Sequence, residues 1–293
     1  MRSTDAVSAG DRELSIERPA IYVVATPIGN LDDMTFRGVA TLRAVDRILA
    51  EDTRHSRRLL DYYGIATPCL SLHQHNEKKI TEKLLAQILE QALAVAVISD
   101  AGTPVISDPG EHFIATAFEL GIPVRAVPGA CALTAAISVV GLSGAFVFEG
   151  FLPSRRAAAN KRLGALVAEP RPIIIFEAPH RIKQTLSLIE QNFGFKRRVA
   201  IARELTKRFE TVYRGAVGEL IERLANDDGA NKGELVLIID GAEKQPYDED
   251  ELRQLLTVLL KHVNKRDALV IARELSGAKR NELYRLLNGL SES

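Results

Sequence analysis

Carboxylates, glycines and prolines are concentrated in five short patches of this 293-residue sequence. Three of the patches carry carboxylates, which can accept a proton from a reacting group. A turn explains any single patch, but five together favour a ligand-binding rim. The patches are Thr-Pro-Ile-Gly-Asn-Leu at 26–31, Glu-Asp-Thr-Arg at 51–54, Asp-Ala-Gly-Thr-Pro at 100–104, Pro-Gly-Ala-Cys-Ala at 128–132 and Glu-Ala-Pro-His-Arg at 177–181.

A short repeat surrounds the third patch. The tripeptide Ile-Ser-Asp occurs at 98–100 and again at 106–108, so it places Asp100 and Asp108 on either side of a Gly-Thr-Pro turn. This doubling suggests a functional loop. Asp108 is also followed by Pro109 and Glu111, a pattern typical of a helix start.

The absent motifs exclude several classes of enzyme. No G-x-x-x-x-G-K-[ST] occurs, which excludes a P-loop nucleotidase, and no G-x-S-x-G occurs, which excludes an α/β-hydrolase. No G-x-G-x-x-G follows the first apolar run, which argues against an ordinary dinucleotide site. His73, His75 and Glu77 lack a further convergent ligand, so no metal site is predicted. Two cysteines, Cys69 and Cys131, favour a reducing cytoplasm.

The elements that must position these patches alternate between apolar runs and amphipathic stretches. This alternation predicts a mostly parallel sheet in an N-terminal α/β domain, residues 19–142. The predicted strands are 20–25, 48–50, 95–98 and 124–127, and the predicted helices are 35–45, 53–63, 77–92, 109–120 and 130–140. Because 26–31, 51–54, 100–104 and 128–132 follow the strands, they should meet where open α/β sheets bind ligands.

A second α/β domain is predicted over residues 143–241. Its strands are expected at 146–151, 173–176 and 235–239, with an antiparallel pair at 199–203 and 211–213. Its helices are expected at 155–168, 180–191 and 217–225. Residues 242–293 predict a helical tail, because Asp248 with Glu251 and Asn264 with Asp267 are helix-capping pairs. Two tail helices around a Ser-Gly turn resemble a helix-turn-helix, which either packs or dimerises, or contacts nucleic acid.

Two segments could be mistaken for membrane or targeting elements. Residues 1–18 are polar and have no apolar run, so we interpret them as a disordered extension rather than a secretory signal. Residues 126–148 carry no charge and are nominally long enough to span a bilayer. Pro128, Gly129, Gly141 and Gly144 interrupt this segment, which predicts a buried helix that leads into a buried strand and no membrane contact.

Charge is distributed unevenly although the net charge is zero. Residues 154–214 contain 14 basic and 5 acidic side chains, which points to a phosphate-rich partner. Aromatic residues make up only 5% of the chain, so RNA would be recognised by phosphate positioning and shape rather than by stacking. The RNA-binding candidates in this segment are Arg155, Arg156, Lys161, Arg197, Arg198, Lys207 and Arg208.

The order of the motifs resembles the ribosomal RNA small subunit methyltransferase I family of the tetrapyrrole methylase superfamily. The resemblance spans about residues 20–290. It rests on Thr-Pro-Ile-Gly-Asn at 26–30, Glu-Asp-Thr-Arg at 51–54, Leu-His-Gln-His-Asn-Glu at 72–77, Ser-Asp-Ala-Gly-Thr-Pro at 99–104 and Phe-Glu-Ala-Pro-His-Arg at 176–181. Cys131 departs from the serine expected at that position, which is a nearly isosteric change.

The resemblance implies two α/β domains of the tetrapyrrole-methylase type with the active cleft between them. It further implies an S-adenosylmethionine-dependent 2′-O-methyltransferase of a cytidine in the decoding region of 16S ribosomal RNA. The substrate would be the assembled 30S subunit, and the enzyme would be a homodimer. The implied donor-binding residues are Pro27, Asp100, Gly102, Thr103, Pro104, Cys131, Ala132, Ala178, Pro179, Leu205, Thr206, Gly233 and Glu234.

The implied reaction requires alignment of a ribose hydroxyl with a methyl group, and a general base is optional. The candidate bases on the first domain are Glu51, Asp52, His75 and Glu77, with Glu51, Asp52 and Glu77 preferred. Arg54 would orient RNA phosphates together with the basic segment. Two alternatives stay open: methylation of a tetrapyrrole or other small acceptor, and a non-enzymatic, ligand-gated nucleic-acid-binding protein that uses the tail.

Overall fold

The N-terminal half of the chain is built on a fully parallel sheet with strand order β3-β2-β4-β1-β5. The computed structural model describes residues 15–226, 232–242 and 248–290. The strands are β1 Ala20–Val24, β2 Arg47–Ala50, β3 Cys69–Ser71, β4 Ala94–Ile98 and β5 Val124–Val127. The helices are α1 Phe36–Ala44, α2 Thr53–Tyr62, α3 Glu77–Glu90, α4 Glu111–Glu119 and α5 Ala132–Val140.

The prediction of a mostly parallel sheet is confirmed, and the short strand β3 was missed. Every residue of β4 is buried, as expected for a strand covered by helices on both faces. Ile21 of β1 pairs with Val95 on one side and Val124 on the other. Because all five strands run in one direction, the loops after β1, β2, β4 and β5 lie along one edge of the sheet.

The second half contains a mixed sheet with strand order β6-β7-β10-β8-β9. Only β6 and β7 are parallel neighbours, and the remaining pairs are antiparallel, including the predicted pair β8 and β9. The strands are β6 Val147–Phe151, β7 Ile173–Glu177, β8 Arg198–Arg203, β9 Thr211–Ala216 and β10 Leu235–Ile239. The helices are α6 Arg156–Ala165, α7 Ile182–Phe193 and α8 Val217–Ala225.

Alternate residues of the strands in the second sheet point to opposite sides, and both sides carry apolar residues. One face packs against α6, α7 and α8 through residues such as Ile175, Ile201 and Leu237. The other face forms a cluster with α5 that includes Ala136, Ala200 and Val236. Helix α5, which follows β5 in the chain, therefore packs on the second sheet.

The uncharged segment 126–148 is less buried than its composition predicts. Its helix α5 buries Ala136 and Val140, whereas Val139 is 46% exposed. Strand β6 is mostly half-buried. The apolar residues serve packing on the second sheet, and no helix in the part of the chain that the structure describes is long and apolar enough to cross a membrane.

The predicted helix start at Asp108 is wrong. Helix α4 begins at Glu111, and Gly110 occupies the N-cap position with φ +117° and no side-chain cap. The two residues before the cap belong to the preceding loop, which a left-handed glycine joins to the helix. The Asp108 carboxylate is therefore free for another role.

The chain divides into two compact units, Met1–Gly241 and Ala242–Ser293. The second contains α9 Glu249–Leu260, α10 Lys265–Ser276 and α11 Arg280–Leu290 around Leu256, Leu269 and Leu286. Both predicted caps are confirmed, because Asp248 accepts from the Glu251 N–H and Asn264 from the Asp267 N–H. Of the predicted extension, residues 1–14 lie outside the described residues, while Glu17 and Arg18 form ion pairs with Arg125 and Asp46.

Candidate active site

Backbone hydrogen bonds tie three strand-end loops of the first sheet together. The Thr26 N–H donates to the Gly102 carbonyl at 2.8 Å, and the Gly102 N–H donates back to Thr26 at 3.1 Å. The Thr103 hydroxyl donates to the Ala130 carbonyl at 3.2 Å. Gly102 and Thr103 thus shape the loop after β4 against the loops after β1 and β5.

The loop between β4 and α4 holds an unusual backbone. Four of its residues have positive φ: Gly102 at +84°, Val105 at +74°, Ser107 at +68° and Gly110 at +117°. A left-handed conformation at a non-glycine residue costs about 1–3 kcal/mol and persists only where the surroundings impose it. Such strain is typical of functional loops, and here it directs residues 106–108 into a cavity.

The cavity lies between the two halves of the first unit and has a volume of about 330 Å³. The N-terminal half contributes Ile28, Ala101, Ile106, Ser107, Asp108 and Ala132 to its lining. The second half contributes Phe151, Phe176, Glu177, Ala178, Pro179, Ala202, Leu205, Glu234, Leu235 and Val236. We call it the central cavity. Its apolar lining with a few polar groups is typical of small-molecule sites.

Asp108 lines the central cavity on the N-terminal side, and other carboxylates lie near it. Burial, with smaller contributions from the neighbouring Glu51 and Asp100, raises the pKa of Asp108 to about 6, although a hydrogen bond from Ser99 opposes the shift. Burial also raises the pKa of Glu51, with Asp100 and Asp52 adding to the effect. Carboxylates with raised pKa values at a cavity are candidates for proton transfer near neutral pH.

Two of the predicted bases have structural partners instead. Asp52 caps α2 by accepting hydrogen bonds from the Arg54 and His55 N–H groups, and these bonds lower its pKa. Glu77 is not on the rim: it is 8% exposed and its Oε1 accepts from the Phe113 N–H at 2.9 Å. That contact joins α3 to α4. Glu51, the third preferred base, lies near Asp108, the carboxylate that lines the central cavity.

The wall from the second half is held by a buried carboxylate. Glu177 accepts a hydrogen bond from the Ala178 N–H at 2.8 Å and another from the Thr185 hydroxyl. Arg181 forms an ion pair with Glu177 at 3.3 Å. These contacts fix the turn at Ala178 and Pro179, so their small side chains face the central cavity.

A second strained loop follows β8. Glu204 has φ +53° and Thr206 has φ +67°, both rare for residues with side chains. Glu204 accepts from the Glu234 N–H at 3.0 Å and from Lys207 Nζ at 2.8 Å. Gly233 is required here, because a Cβ at that position would lie 2.2 Å from the Glu204 carboxylate. The Thr206 hydroxyl is buried and has no hydrogen-bond partner among the described residues.

The structure brings five of the predicted donor-binding residues to the central cavity: Ala132, Ala178, Pro179, Leu205 and Glu234. Pro27 and Asp100 instead line a neighbouring cavity, which Glu234 also borders. Cys131 and Thr206 line an open groove beside α5. Gly102, Thr103 and Gly233 shape the loops described above, and Pro104 is buried.

The predicted RNA-binding residues divide into two groups. Arg54, Arg155, Arg156, Lys161, Arg198 and Arg208 are exposed. Arg197, by contrast, donates to the Asp240 carbonyl at 2.9 Å and lies over the Phe193 ring. Lys207 is bound between Glu204 and Glu234, and the two carboxylates raise its pKa against the effect of burial. Both side chains have structural roles that their spacing in the basic segment did not reveal.

Sequence reasoning missed several residues of the site. Asp108 and Ser107 line the central cavity, and the Ile-Ser-Asp repeat was the signal that could have assigned them to it. Phe151 and Phe176 gave no signal beyond strand character. Among the described residues, no group of three or more His, Cys, Asp or Glu could hold a metal ion.

Comparison with known proteins defines the class. The family model for tetrapyrrole (corrin/porphyrin) methylases matches residues 20–221. Diphthine synthase superposes with a TM-score of 0.57 at 14% identity, covering 75% of this chain and 89% of that one. A uroporphyrin-III C-methyl transferase from Thermus thermophilus, complexed with S-adenyl homocysteine, gives 0.53 at 15% identity over 75% and 96%. At these identities the structures show the shared fold.

Curated relatives narrow the class to one family. "Ribosomal RNA small subunit methyltransferase I" of Pseudomonas aeruginosa is 44% identical over 268 residues, which cover 90% of this chain and 95% of the relative. The protein of that name from Synechocystis is 42% identical over 91% of this chain and 96% of the relative. The chain therefore belongs to the ribosomal RNA small subunit methyltransferase I family of the tetrapyrrole methylases.

Proposed function

We propose that the protein transfers a methyl group from S-adenosylmethionine to the 2′-hydroxyl of a cytidine in the decoding region of 16S ribosomal RNA. The observation that carries the proposal is the central cavity, with a mostly apolar wall from the second half and Asp108 on the N-terminal side. Family membership supports the reaction class. The sequence has no glycine-rich dinucleotide fingerprint after its first strand. A donor held between the two halves would not need such a loop.

The residues present fit such a donor. The volume of the central cavity lies within the range of about 300–1,000 Å³ that small-molecule sites occupy. Ala132 and Ala178 leave space in opposite walls, and Phe176 and Leu205 provide apolar surface for an aromatic base. The Thr206 hydroxyl, which has no hydrogen-bond partner among the described residues, follows Leu205 of the cavity wall and borders the neighbouring groove beside Cys131. When bound, S-adenosylmethionine supplies a methyl group activated by a sulfonium charge.

The carboxylates beside the cavity account for the proton. Transfer of the methyl group to the ribose oxygen would break the bond between the methyl carbon and sulfur and leave S-adenosylhomocysteine, while the hydroxyl proton passes to the pair formed by Asp108 and Glu51. Asp108 lines the cavity, and the raised pKa of each carboxylate keeps it a stronger proton acceptor than an exposed carboxylate. Alignment of the two reactants supplies the larger share of the rate enhancement.

The ribosomal partner is supported by charge and by the relatives' name. Exposed Arg155, Arg156 and Lys161 lie at and along the first turns of α6, where they can contact RNA phosphates. The assembled 30S subunit is the proposed substrate, because few aromatic side chains are available to hold unfolded RNA. We also propose that the enzyme is cytoplasmic and homodimeric, and both statements rest on the family resemblance.

A methyl-transfer assay tests this function. Labelled S-adenosylmethionine is supplied with naked 16S RNA or with unmodified 30S subunits, and the labelled nucleotide is mapped. Label on a cytidine ribose of the decoding region, with preference for 30S subunits, is the expected result. Transfer to a tetrapyrrole in place of RNA would overturn the acceptor assignment. A steep loss of RNA binding with salt, without loss of donor binding, is also expected.

A further inference from the structure

A second cavity lies beside the central cavity and has no role in the reaction proposed for the central cavity. We call it the α2 cavity; its volume is about 590 Å³. Helix α2 contributes His55, Ser56, Arg58, Leu59 and Tyr62 to its lining. Ile28, Ala101 and Glu234 border both cavities, so a molecule in the α2 cavity would lie next to one in the central cavity.

An unsatisfied hydroxyl lies at the α2 cavity. Ser56 is 3% exposed, and its Oγ has no hydrogen-bond partner among the described residues. A buried polar group without a partner costs about 1–3 kcal/mol, so it requires an explanation. A ligand with hydrogen-bonding groups in the cavity would provide one.

Arg58 is the side chain of the α2 cavity that can bind an anion. The two carboxylates of the cavity are already engaged, because Asp100 accepts from the Asp52 N–H at 3.1 Å and Glu234 pairs with Lys207 at 2.9 Å. The Arg58 side chain is exposed in the middle of α2. His55 lies three residues earlier on the same helix face.

An aromatic ring completes the lining. Tyr62 is 59% exposed at the C-terminal end of α2, one turn beyond Arg58. Exposed aromatic rings next to basic side chains stack on the bases of unpaired RNA nucleotides. The cavity thus combines a guanidinium, an imidazole, a hydroxyl and an aromatic ring.

We propose that the α2 cavity binds the acceptor nucleotide of the RNA, with its phosphate beside Arg58 and His55 and its base against Tyr62. This inference rests on the proposed function. It explains how the ribose reaches the central cavity: a nucleotide held in the adjoining space presents its sugar at the boundary that Ile28, Ala101 and Glu234 share. It also assigns a role to helix α2, whose basic side chains lie outside the basic segment 154–214.

The test compares two neighbouring arginines of α2. Arg58 lines the cavity, whereas Arg57 does not and forms an ion pair with Asp61 at 3.1 Å. Arg58→Gln should raise KM for unmodified 30S subunits about tenfold, the effect of one lost phosphate contact, while the Kd for S-adenosylmethionine stays unchanged. Arg57→Gln removes the same charge and should change KM less than about twofold. Tyr62→Ala should raise KM about fivefold to tenfold.

The outcomes separate the inference from the proposed function. Equal effects of Arg58→Gln and Arg57→Gln on KM, or weaker donor binding with unchanged KM in Arg58→Gln, would overturn the inference alone. Absence of methyl transfer to RNA by the unchanged protein would overturn the proposed function. In that case cytidine 5′-monophosphate, followed by NMR on the full chain, decides the site. The inference is supported if the nucleotide binds, Arg58→Gln abolishes its binding and Arg57→Gln preserves it. Any other result overturns the inference.

Discussion

The two halves of the first unit face the central cavity with different chemistry. The N-terminal half presents strand-end loops with carboxylates and positive-φ residues, because all five of its strands run in one direction. The second half presents the face of a mostly antiparallel sheet, with Phe176, Ala202 and Val236 on neighbouring strands. A parallel sheet gathers loops at one edge, whereas an antiparallel sheet offers a continuous apolar surface.

This difference separates two tasks. The loops of the N-terminal half can move protons and hold a shape that the chain would not adopt alone. The apolar wall excludes water and gives the cavity its form. Substitutions of the carboxylates should therefore change the rate of the chemical step, whereas substitutions that fill or reshape the cavity should change the affinity for the donor.

The largest effect, on kcat, is expected when Glu51 or Asp108 loses its carboxylate. Glu51→Gln and Asp108→Asn should each lower kcat about 100-fold, since a positioned base contributes about 10²–10⁴ to a rate. In the unchanged protein kcat should rise with pH through about 6, as Asp108 loses its proton, and then level off. Single-turnover methyl transfer measured from pH 5 to 9 provides the test. Glu82→Gln, on the exposed surface of α3, is the control; an unchanged rate in both carboxylate variants would contradict the assignment.

The next effect concerns the wall. Ala178→Leu and Ala132→Leu place extra carbon atoms in the central cavity from opposite sides, and overpacking of this kind costs about 1–3 kcal/mol. The Kd for S-adenosylmethionine should rise about 10- to 100-fold, measured by titration calorimetry. Ala158→Leu adds the same atoms on the exposed face of α6 and should leave the Kd unchanged. Normal donor binding in both cavity variants would place the donor elsewhere.

A smaller effect distinguishes the strained loop from an ordinary turn. Gly102→Ala and Gly121→Ala both force a Cβ into left-handed backbone, at a cost of about 1–2 kcal/mol in stability. A Cβ at Gly102 also meets Ile28 at 3.1 Å, whereas Gly121 has nothing within 4 Å. Both variants should melt earlier, but only Gly102→Ala should weaken donor binding, by about fivefold. Equal donor affinities would show that the loop shape is not coupled to the cavity.

The smallest effect is on stability. The pKa of Asp108 is raised on folding, so its ionised form at neutral pH favours the unfolded chain. Asp108→Asn should therefore raise Tm by a few degrees at pH 8. The gain should shrink as pH falls through about 6 and vanish only below about pH 3, where Asp108 is protonated in both states because its ordinary pKa is 3.8. Thermal unfolding across this range measures it, and a Tm gain that does not depend on pH would contradict the burial of an ionisable group.

Much of the fold could be predicted from local patterns. The apolar run 95–98 predicted a strand of a mostly parallel sheet, and the pairs Asp248 with Glu251 and Asn264 with Asp267 predicted two helix starts. These features depend on residues a few positions apart, so the sequence carries them directly. The order of the motifs at 26–30, 51–54, 72–77, 99–104 and 176–181 likewise carried the resemblance to the family.

Only the tertiary structure decided the roles of individual charged residues. Glu77 binds the Phe113 N–H and Lys207 joins two carboxylates, although both were candidates for the site. Asp108 borders the cavity instead of capping a helix. Patterns of residue type determined the elements and their order, but burial, pKa and hydrogen-bond partners depend on which distant segments the fold brings together. For that reason the site was predictable as a region, and its chemistry only from contacts between residues far apart in the chain.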